Sequence, residues 1–82
     1  MIEAELQKAR RGIGIRLREA RAARGLTQAE LGKLAGFDQA VVRDVEDGVL
    51  WHPNVVSELA VAMGLTPAWL QWGEPFSDKR VE

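Results

Sequence analysis

The stretch from Thr27 to Gly48 constrains the fold more than any other part of this chain, because it carries the signals of two short helices joined by a tight turn. Thr27 and Glu30 have the spacing of a capping box, which closes the first turn of a helix. Gly36 follows that helix, and glycine takes the left-handed backbone conformation that stops a helix and redirects the chain. The pattern therefore predicts a helix from Gln28 onward that ends in a sharp turn.

A second helix is predicted over Gln39–Glu46, with Asp38 as its cap and polar residues along one side. Two short helices at a steep angle, the second with a polar outer face, have the geometry that fits an α-helix into the major groove of DNA. The residues expected to face the core from the two helices are Leu31, Leu34, Val42 and Val45. The sequence thus indicates a helix-turn-helix unit.

Helical spacing extends on both sides of this unit, and no segment has the pattern of a strand. Apolar residues recur from residue 2 to about residue 24. This predicts a long first helix with a kink or break at Gly12 and Gly14, since each glycine costs about 1 kcal/mol relative to alanine. A fourth helix is expected over 55–63 after a cap at Asn54, and a fifth over 67–72 after a cap at Thr66. The fold class is therefore all-α, a compact five-helix bundle, with residues 74–82 as a polar, frayed tail.

The composition limits the possible functions. Eighty-two residues form one small domain, and the absence of cysteine excludes disulfides and cysteine-ligated metals. No apolar run approaches the roughly 18 residues that cross a bilayer, and the N-terminal residues lack the pattern of a signal peptide, so a cytoplasmic protein is expected. His52 is the only histidine, and no nucleophile or group of metal ligands accompanies it. We therefore expect neither an enzyme nor a bound metal or cofactor.

The net charge of −1 conceals an uneven distribution along the chain. Residues 1–26 hold seven basic and three acidic side chains, whereas residues 27–82 hold four basic and nine acidic ones. Phosphate neutralisation supplies much of the affinity of proteins that bind DNA. A surface that faces phosphates would therefore draw heavily on the first helix; the alternative is that these basic side chains only solvate an exposed helix.

Three segments, in this order and spacing, carry a family resemblance: TQAELGKLAG, VVRDVEDG and WHPNVVSELAVAMGLTPAWLQWGE. Together they resemble the five-helix helix-turn-helix domain of the phage Cro and repressor-like (XRE) family. The resemblance covers Gly12–Gly73, which leaves 1–11 as a helical extension and 74–82 as a short tail. It implies a homodimer that binds double-stranded DNA and regulates transcription, as a repressor, with 39–46 as the reading helix. The fifth helix and nearby apolar residues would form the dimer contact.

The resemblance also implies roles for single residues. Arg21 and Glu46 match positions that form a buried structural ion pair in the family. Gln28 matches a residue that meets a DNA phosphate, helped by the partial positive charge at the N-terminus of its helix. Thr27 and Arg18 are expected to contribute further phosphate contacts.

Four residues of the reading helix are candidates for contact with bases. The amide of Gln39 can bond adenine at N6 and N7, Ala40 can touch a thymine methyl, and Arg43 can reach a guanine edge or a phosphate. Asp44 departs from the family, in which this position is often uncharged or basic. Its carboxylate either accepts a hydrogen bond from the N4 amino group of cytosine or repels the phosphate backbone of DNA.

The loop after the reading helix is a larger departure, because relatives often carry basic residues there. This chain has Val49, Leu50 and Trp51 instead, which either pack on the domain itself or contact another chain. A protein-interaction module on the same fold, such as an antitoxin or a phage regulatory accessory, is therefore an alternative to DNA binding. Trp69 and Trp72 are expected in the core and on the dimer surface.

Overall fold

The computed structural model describes residues 2–78 of the 82 and contains five helices over that range. They are α1 (Ile2–Ala23), α2 (Gln28–Ala35), α3 (Gln39–Glu46), α4 (Pro53–Ala62) and α5 (Pro67–Trp72). No strand occurs within the described residues, so the predicted all-α class is confirmed. All five helices lie close to the positions that the caps and glycines of the sequence predict.

Helix α1 runs unbroken through both of its inner glycines, so the predicted kink or break at Gly12 and Gly14 is wrong. Gly14 is buried where α1 crosses the end of α3. A Cβ atom there would overlap the carbonyl oxygen of Glu46 and lie 2.9 Å from that of Val45. This glycine lets two helix backbones touch, and the contact explains why a residue that disfavours helices stands in the middle of one.

The turn between α2 and α3 follows its local signals. Glu30 N donates to Thr27 Oγ1 over 3.0 Å and Thr27 N donates to Glu30 Oε1 over 2.9 Å, which confirms the capping box. Gly36 has a φ of 85°, which confirms the left-handed turn. Asp38 occupies the cap position of α3, but its side chain makes no capping hydrogen bond, so that part of the prediction is wrong.

The start of α4 differs from the expected one. The helix begins at Pro53, and its cap is His52, whose Nδ1 accepts from Asn54 N over 3.1 Å. Proline suits the first position of a helix because its missing N–H is not needed there. The cap predicted at Asn54 is therefore wrong by two residues, and the single histidine of the chain has a structural role.

Thr66 caps α5 as predicted, since Trp69 N donates to Thr66 Oγ1 over 3.1 Å. The same residue also holds the chain that follows α5. Thr66 Oγ1 donates to the carbonyl oxygen of Ser77, and Thr66 N donates to that of Asp78 over 3.1 Å. Residues 74–78 thus return to the start of α5, contrary to the predicted fraying; residues 79–82 lie outside the described range.

The core lies where the five helices meet. Its largest side chains are almost fully buried: Ile13, Leu17, Leu31, Leu59, Leu70, Val42 and Val45. Leu34 is predicted to face the core beside Leu31 but is 61% exposed. The inward face of α2 is formed by Leu31, Gly32 and Ala35, and Leu34 lies beyond the outer edge of that face. No helix within the described residues is long and apolar enough to cross a membrane.

We expect Gly14→Ala to lower the free energy of unfolding by about 1–3 kcal/mol, because the added methyl group would push α1 away from the end of α3. Gly12→Ala is the matched control. Its methyl group would lie 3.2 Å from Arg16 Nη1, a far milder contact than the overlap with backbone at Gly14, and alanine favours a helix by up to about 1 kcal/mol. Urea unfolding followed by circular dichroism measures both variants, and an equal effect of the two changes would contradict the packing argument.

Candidate nucleic-acid interface

Helix α3 presents a polar face to solvent and an apolar face to the core. Val42 and Val45 are buried against α1 and α2, whereas Gln39, Ala40 and Arg43 are exposed. The hydrophobic side anchors the helix and leaves its outer side free. The structure therefore places three of the four candidate base-contacting residues on a surface that a DNA groove could reach.

Asp44, the fourth candidate, lies at the edge of this face with 36% of its side chain exposed. Its carboxylate is 3.1 Å from Arg43 Nε, so the two opposite charges form a surface ion pair. The carbonyl oxygen of Asp44 also accepts from Val49 N and Leu50 N over 2.9 and 3.1 Å. The residue thus fixes the path of the following loop with its backbone and pairs with Arg43 with its side chain.

Glu46 ends α3 and is the one charged residue buried within the described part of the chain. The structure places Arg21 in the ion pair that the family resemblance implied, with Nε 2.6 Å from Oε2 and Nη2 3.1 Å from Oε1. Arg21 Nη1 also donates to the carbonyl oxygen of Leu26 over 2.8 Å. Glu46 therefore joins α3 to α1, and the same arginine holds the loop that precedes α2.

The ionised form of Glu46 is favoured despite its burial. Burial alone would raise the pKa of the carboxyl, but hydrogen bonds from Arg21 and Gln28 and the charge of Arg21 outweigh it, and the pKa is lowered. The hydrogen bond to Glu46 likewise raises the pKa of Arg21. Both groups are thus charged at neutral pH, and each stabilises the charge of the other.

Two of the three residues predicted to contact phosphate, Gln28 and Arg18, lie against this carboxylate, and Thr27 directly precedes Gln28. Gln28 Nε2 donates to Glu46 Oε1 over 3.1 Å, so one N–H of its amide is already engaged and the other remains available. Arg18 is 58% exposed, with Nε 3.4 Å from Glu46 Oε1 and Nη2 3.6 Å from an Asp47 oxygen. Thr27 is exposed, and its hydroxyl oxygen is occupied by the capping box. All three lie on one side of the domain, and contact with phosphate stays a prediction.

Basic residues of α1, and Arg24 directly after its end, hold the fold together, which the sequence reasoning missed. Arg16 donates from Nε to the carbonyl oxygen of Leu70 over 2.9 Å and from Nη2 to that of Gln71 over 2.8 Å. Its partial burial lowers the pKa of its guanidinium. Arg24 binds the carbonyl oxygens of Met63 and Ala20 over 3.0 and 2.9 Å.

The positions of these arginines contained a usable signal. Arg16 stands three residues after Ile13 and four before Ala20, both of which are buried, so the helical spacing turns it toward the core side. With Arg16 and Arg21 engaged internally, the basic surface of α1 is smaller than its composition suggests. The side chains left for an outside partner are Lys8, Arg10, Arg11 and Arg18.

One of these remaining cations lies beside the end of α3. A Cβ atom on Gly48 would be 3.5 Å from Arg11 Cγ, so α1 passes directly over the loop that follows α3. That loop has no basic side chain of its own. The nearest basic residue to this loop shown by these contacts is therefore Arg11 of α1.

The three apolar residues of the loop after α3 differ in how much they are exposed. Leu50 packs against the core, Val49 is 68% exposed, and Trp51 is 40% exposed. Trp51 Nε1 donates to Gln71 Oε1 over 2.8 Å, which ties the loop to α5. Self-packing thus accounts for Leu50, whereas Val49 and part of Trp51 remain open to a partner.

We expect Glu46→Gln to lower the free energy of unfolding at neutral pH by about 3 kcal/mol, because it leaves the largely buried Arg21 without its counter-ion. The lowered pKa sets the sign of the pH dependence. The ion pair stabilises the fold fully above the ordinary carboxyl value of 4.5, and this contribution is lost as the pH falls through the lower value of the folded state. The difference in the free energy of unfolding between wild type and variant should therefore become smaller in acid.

Urea unfolding across a pH series, followed by tryptophan fluorescence, measures this difference. Glu58→Gln is the control, because Glu58 is an exposed glutamate on α4. A difference that stays constant down to strongly acidic pH, or that is equally large for the control, would show that Glu46 does not act through its charge.

Comparison with known proteins places the chain in a family. Residues 13–73, most of the chain, match the family described as a helix-turn-helix domain. Over 59 residues the chain is 37% identical to the HTH-type transcriptional regulator PrtR of Pseudomonas aeruginosa. That alignment covers 72% of this chain but only 23% of the regulator, and no solved structure matches the chain. The chain therefore belongs to the helix-turn-helix domain family, as its resemblance to the XRE-like repressors predicted.

Proposed function

We propose that this domain binds double-stranded DNA with α3 in the major groove and regulates transcription, as a repressor that occupies its operator. The observation that carries the proposal is the exposed polar face of α3, held rigid from behind by the buried Glu46 and its partners. A reading helix needs both properties, because its side chains must reach base edges while its axis stays fixed. The similarity to a protein named as a transcriptional regulator supports the same role.

Gln39 would be the principal base-reading residue. It stands at the first position of α3, and the N-terminal residues of a recognition helix are those that meet base edges. Its amide offers a donor and an acceptor, which match N7 and the N6 amino group of adenine. Ala40, beside it, is small enough to let a thymine methyl approach.

Arg43 would contribute a second contact whose geometry Asp44 prepares. Asp44 engages Arg43 Nε, which leaves both terminal Nη groups as donors. A guanine presents two acceptors, O6 and N7, to such a pair of donors. The surface ion pair thus restricts the arginine before DNA arrives and also screens the negative charge of Asp44 from the phosphates.

Phosphate contacts would come from the side of the domain where α1, α2 and the end of α3 meet. Thr27, the free N–H of Gln28, Arg18 and Arg11 lie there. These groups include few cations, so we expect the salt dependence of binding to be modest. A plot of the logarithm of the binding constant against the logarithm of the salt concentration should fall with a slope of about 0.9 for each phosphate neutralised. A homodimer would double the contacts and place two α3 helices about one turn of DNA apart.

We expect Gln39→Ala to weaken binding to the preferred duplex by about 1–3 kcal/mol and to remove the preference at one base pair. The preferred sequence is obtained first by selection from a pool of random duplexes, and anisotropy titrations at low salt then compare duplexes that differ at single positions. Gln7→Ala is the matched control, since Gln7 is an exposed glutamine on α1 outside the reading helix. The control should leave the base preference unchanged.

Absence of binding by the folded wild-type domain at micromolar concentration would overturn the proposal. So would a base preference that survives Gln39→Ala together with changes at Arg43 and Asp44. Circular dichroism of each variant establishes that the fold is intact, because all three side chains lie outside the core.

A second function is favoured by the exposed loop: a protein-interaction module, such as an antitoxin or a phage regulatory accessory, that docks through Val49 and Trp51. Val49 is exposed and outside the core, so Val49→Ser should leave the free energy of unfolding nearly unchanged. For a protein-interaction module, Val49→Ser would weaken capture of the protein partner. The affinity for that partner would be almost independent of salt. DNA binding that weakens measurably with rising salt and is unaffected by Val49→Ser would instead favour the first function.

A further inference from the structure

Asp47, the residue that directly follows α3, carries a carboxylate where the local structure does not favour one. It is the C-terminal cap of the helix, and its N–H donates to the carbonyl oxygen of Arg43 over 2.9 Å. The C-terminal end of a helix carries partial negative charge, which disfavours an anion there. The Asp47 side chain is 50% exposed, and within residues 2–78 it forms an ion pair only with Arg18. The stability of the helix therefore does not explain this carboxylate.

The guanidinium of Arg18 lies across the end of α3 and faces two carboxylates. Its Nε is 3.4 Å from Glu46 Oε1, and its Nη2 is 3.6 Å from Asp47 Oδ1. The two carboxylates differ in their surroundings, because the Glu46 side chain is fully buried and is also bound by Arg21, whereas that of Asp47 is half exposed. The contact between Arg18 and Asp47 is therefore the one that an anion from solution can reach.

A single oxygen of Glu46 brings Arg18 beside Gln28. Gln28 Nε2 donates to Glu46 Oε1 over 3.1 Å, and Arg18 Nε lies 3.4 Å from the same oxygen. Two donors that share one oxygen lie side by side, so a phosphate bound by the free N–H of Gln28 would lie near the guanidinium of Arg18. Asp47 already holds one terminal nitrogen of that guanidinium, with a charge of the same sign as that of a phosphate.

We infer that Asp47 holds Arg18 in the place of a DNA phosphate and thereby lowers the affinity of the domain for DNA of any sequence. A phosphate that binds Arg18 must displace this carboxylate and is also repelled by it. Binding that does not depend on sequence comes from such phosphate contacts, so Asp47 reduces that part of the affinity. Asp47 is thus a positioning residue that acts through Arg18. The inference rests on the proposed binding of DNA, which names the ligand whose affinity is limited.

Asp47→Ala removes the carboxylate and adds no amide that could itself donate to a phosphate. Anisotropy titrations with a duplex of random sequence at low salt should show binding about fivefold tighter than that of the wild type, which is the effect of one pair of unit charges about 4 Å apart in water. Binding should also weaken more steeply with salt, because the released Arg18 neutralises a phosphate more completely. Glu58→Ala is the matched control, since it removes the same charge from an exposed position on α4 and should leave the affinity close to that of the wild type.

The gain in affinity should require Arg18. In an Arg18→Gln background, Asp47→Ala should tighten binding to the same duplex by about twofold or less, because the two residues act as a coupled pair. A general effect of net charge would give the same gain with and without Arg18. Urea unfolding followed by circular dichroism completes the comparison: Asp47→Ala should not lower the midpoint, since an anion is disfavoured at this helix end, whereas a merely structural role would lower it.

Retention on a heparin column gives a readout without DNA, since heparin is a polyanion that has no base edges. Asp47→Ala should elute at higher salt than the wild type, and Glu58→Ala should elute close to the wild type. If no variant binds a duplex but this shift in elution persists, the proposed function is overturned, while the hold of Asp47 on Arg18 is supported. The inference itself is overturned if Asp47→Ala binds duplex and heparin no more tightly than the wild type, or if its gain is undiminished in the Arg18→Gln background.

Discussion

The buried carboxylate of Glu46 is the interaction on which the arrangement of the first three helices depends. Arg21 from α1 and Gln28 from α2 both donate to it, so one side chain at the end of α3 fixes the positions of two other helices. A buried charge is tolerated only when its hydrogen-bonding capacity is filled. Conversely, a displacement of α1 or α2 would leave the buried carboxylate of Glu46 without hydrogen-bond donors, so the charge also holds these helices in place.

Helix α1 acts as the common support of the bundle. Gly14 brings its backbone onto the end of α3, and Arg16 binds carbonyl oxygens at the end of α5. Arg24, directly after the last residue of α1, binds the end of α4. The last carbonyl groups of a helix lack partners within it, and guanidinium groups satisfy them well. The arginines that made the N-terminal part of the sequence look like a phosphate-binding surface are therefore partly structural.

The sequence predicted those features that depend on neighbours within a few residues. The capping box at Thr27, the left-handed Gly36 and the cap at Thr66 are set by local hydrogen bonds and backbone freedom. The roles of Gly14 and Leu34 depend on which helices meet, and no local pattern carries that information. For the candidate site, the outward face of α3 followed from its periodicity, whereas the bond from Gln28 to Glu46 and the internal use of Arg16 required the assembled fold.

The two separate attachments of residue 44 have an evolutionary consequence. Its main-chain oxygen secures the loop, while its carboxylate reaches only to Arg43. Mutation can thus replace the side chain without altering the path of the polypeptide, since the anchoring atom is common to every amino acid. Under the proposed DNA-reading role of α3, such a domain could acquire new operators by substitution at this position while its scaffold stays unchanged.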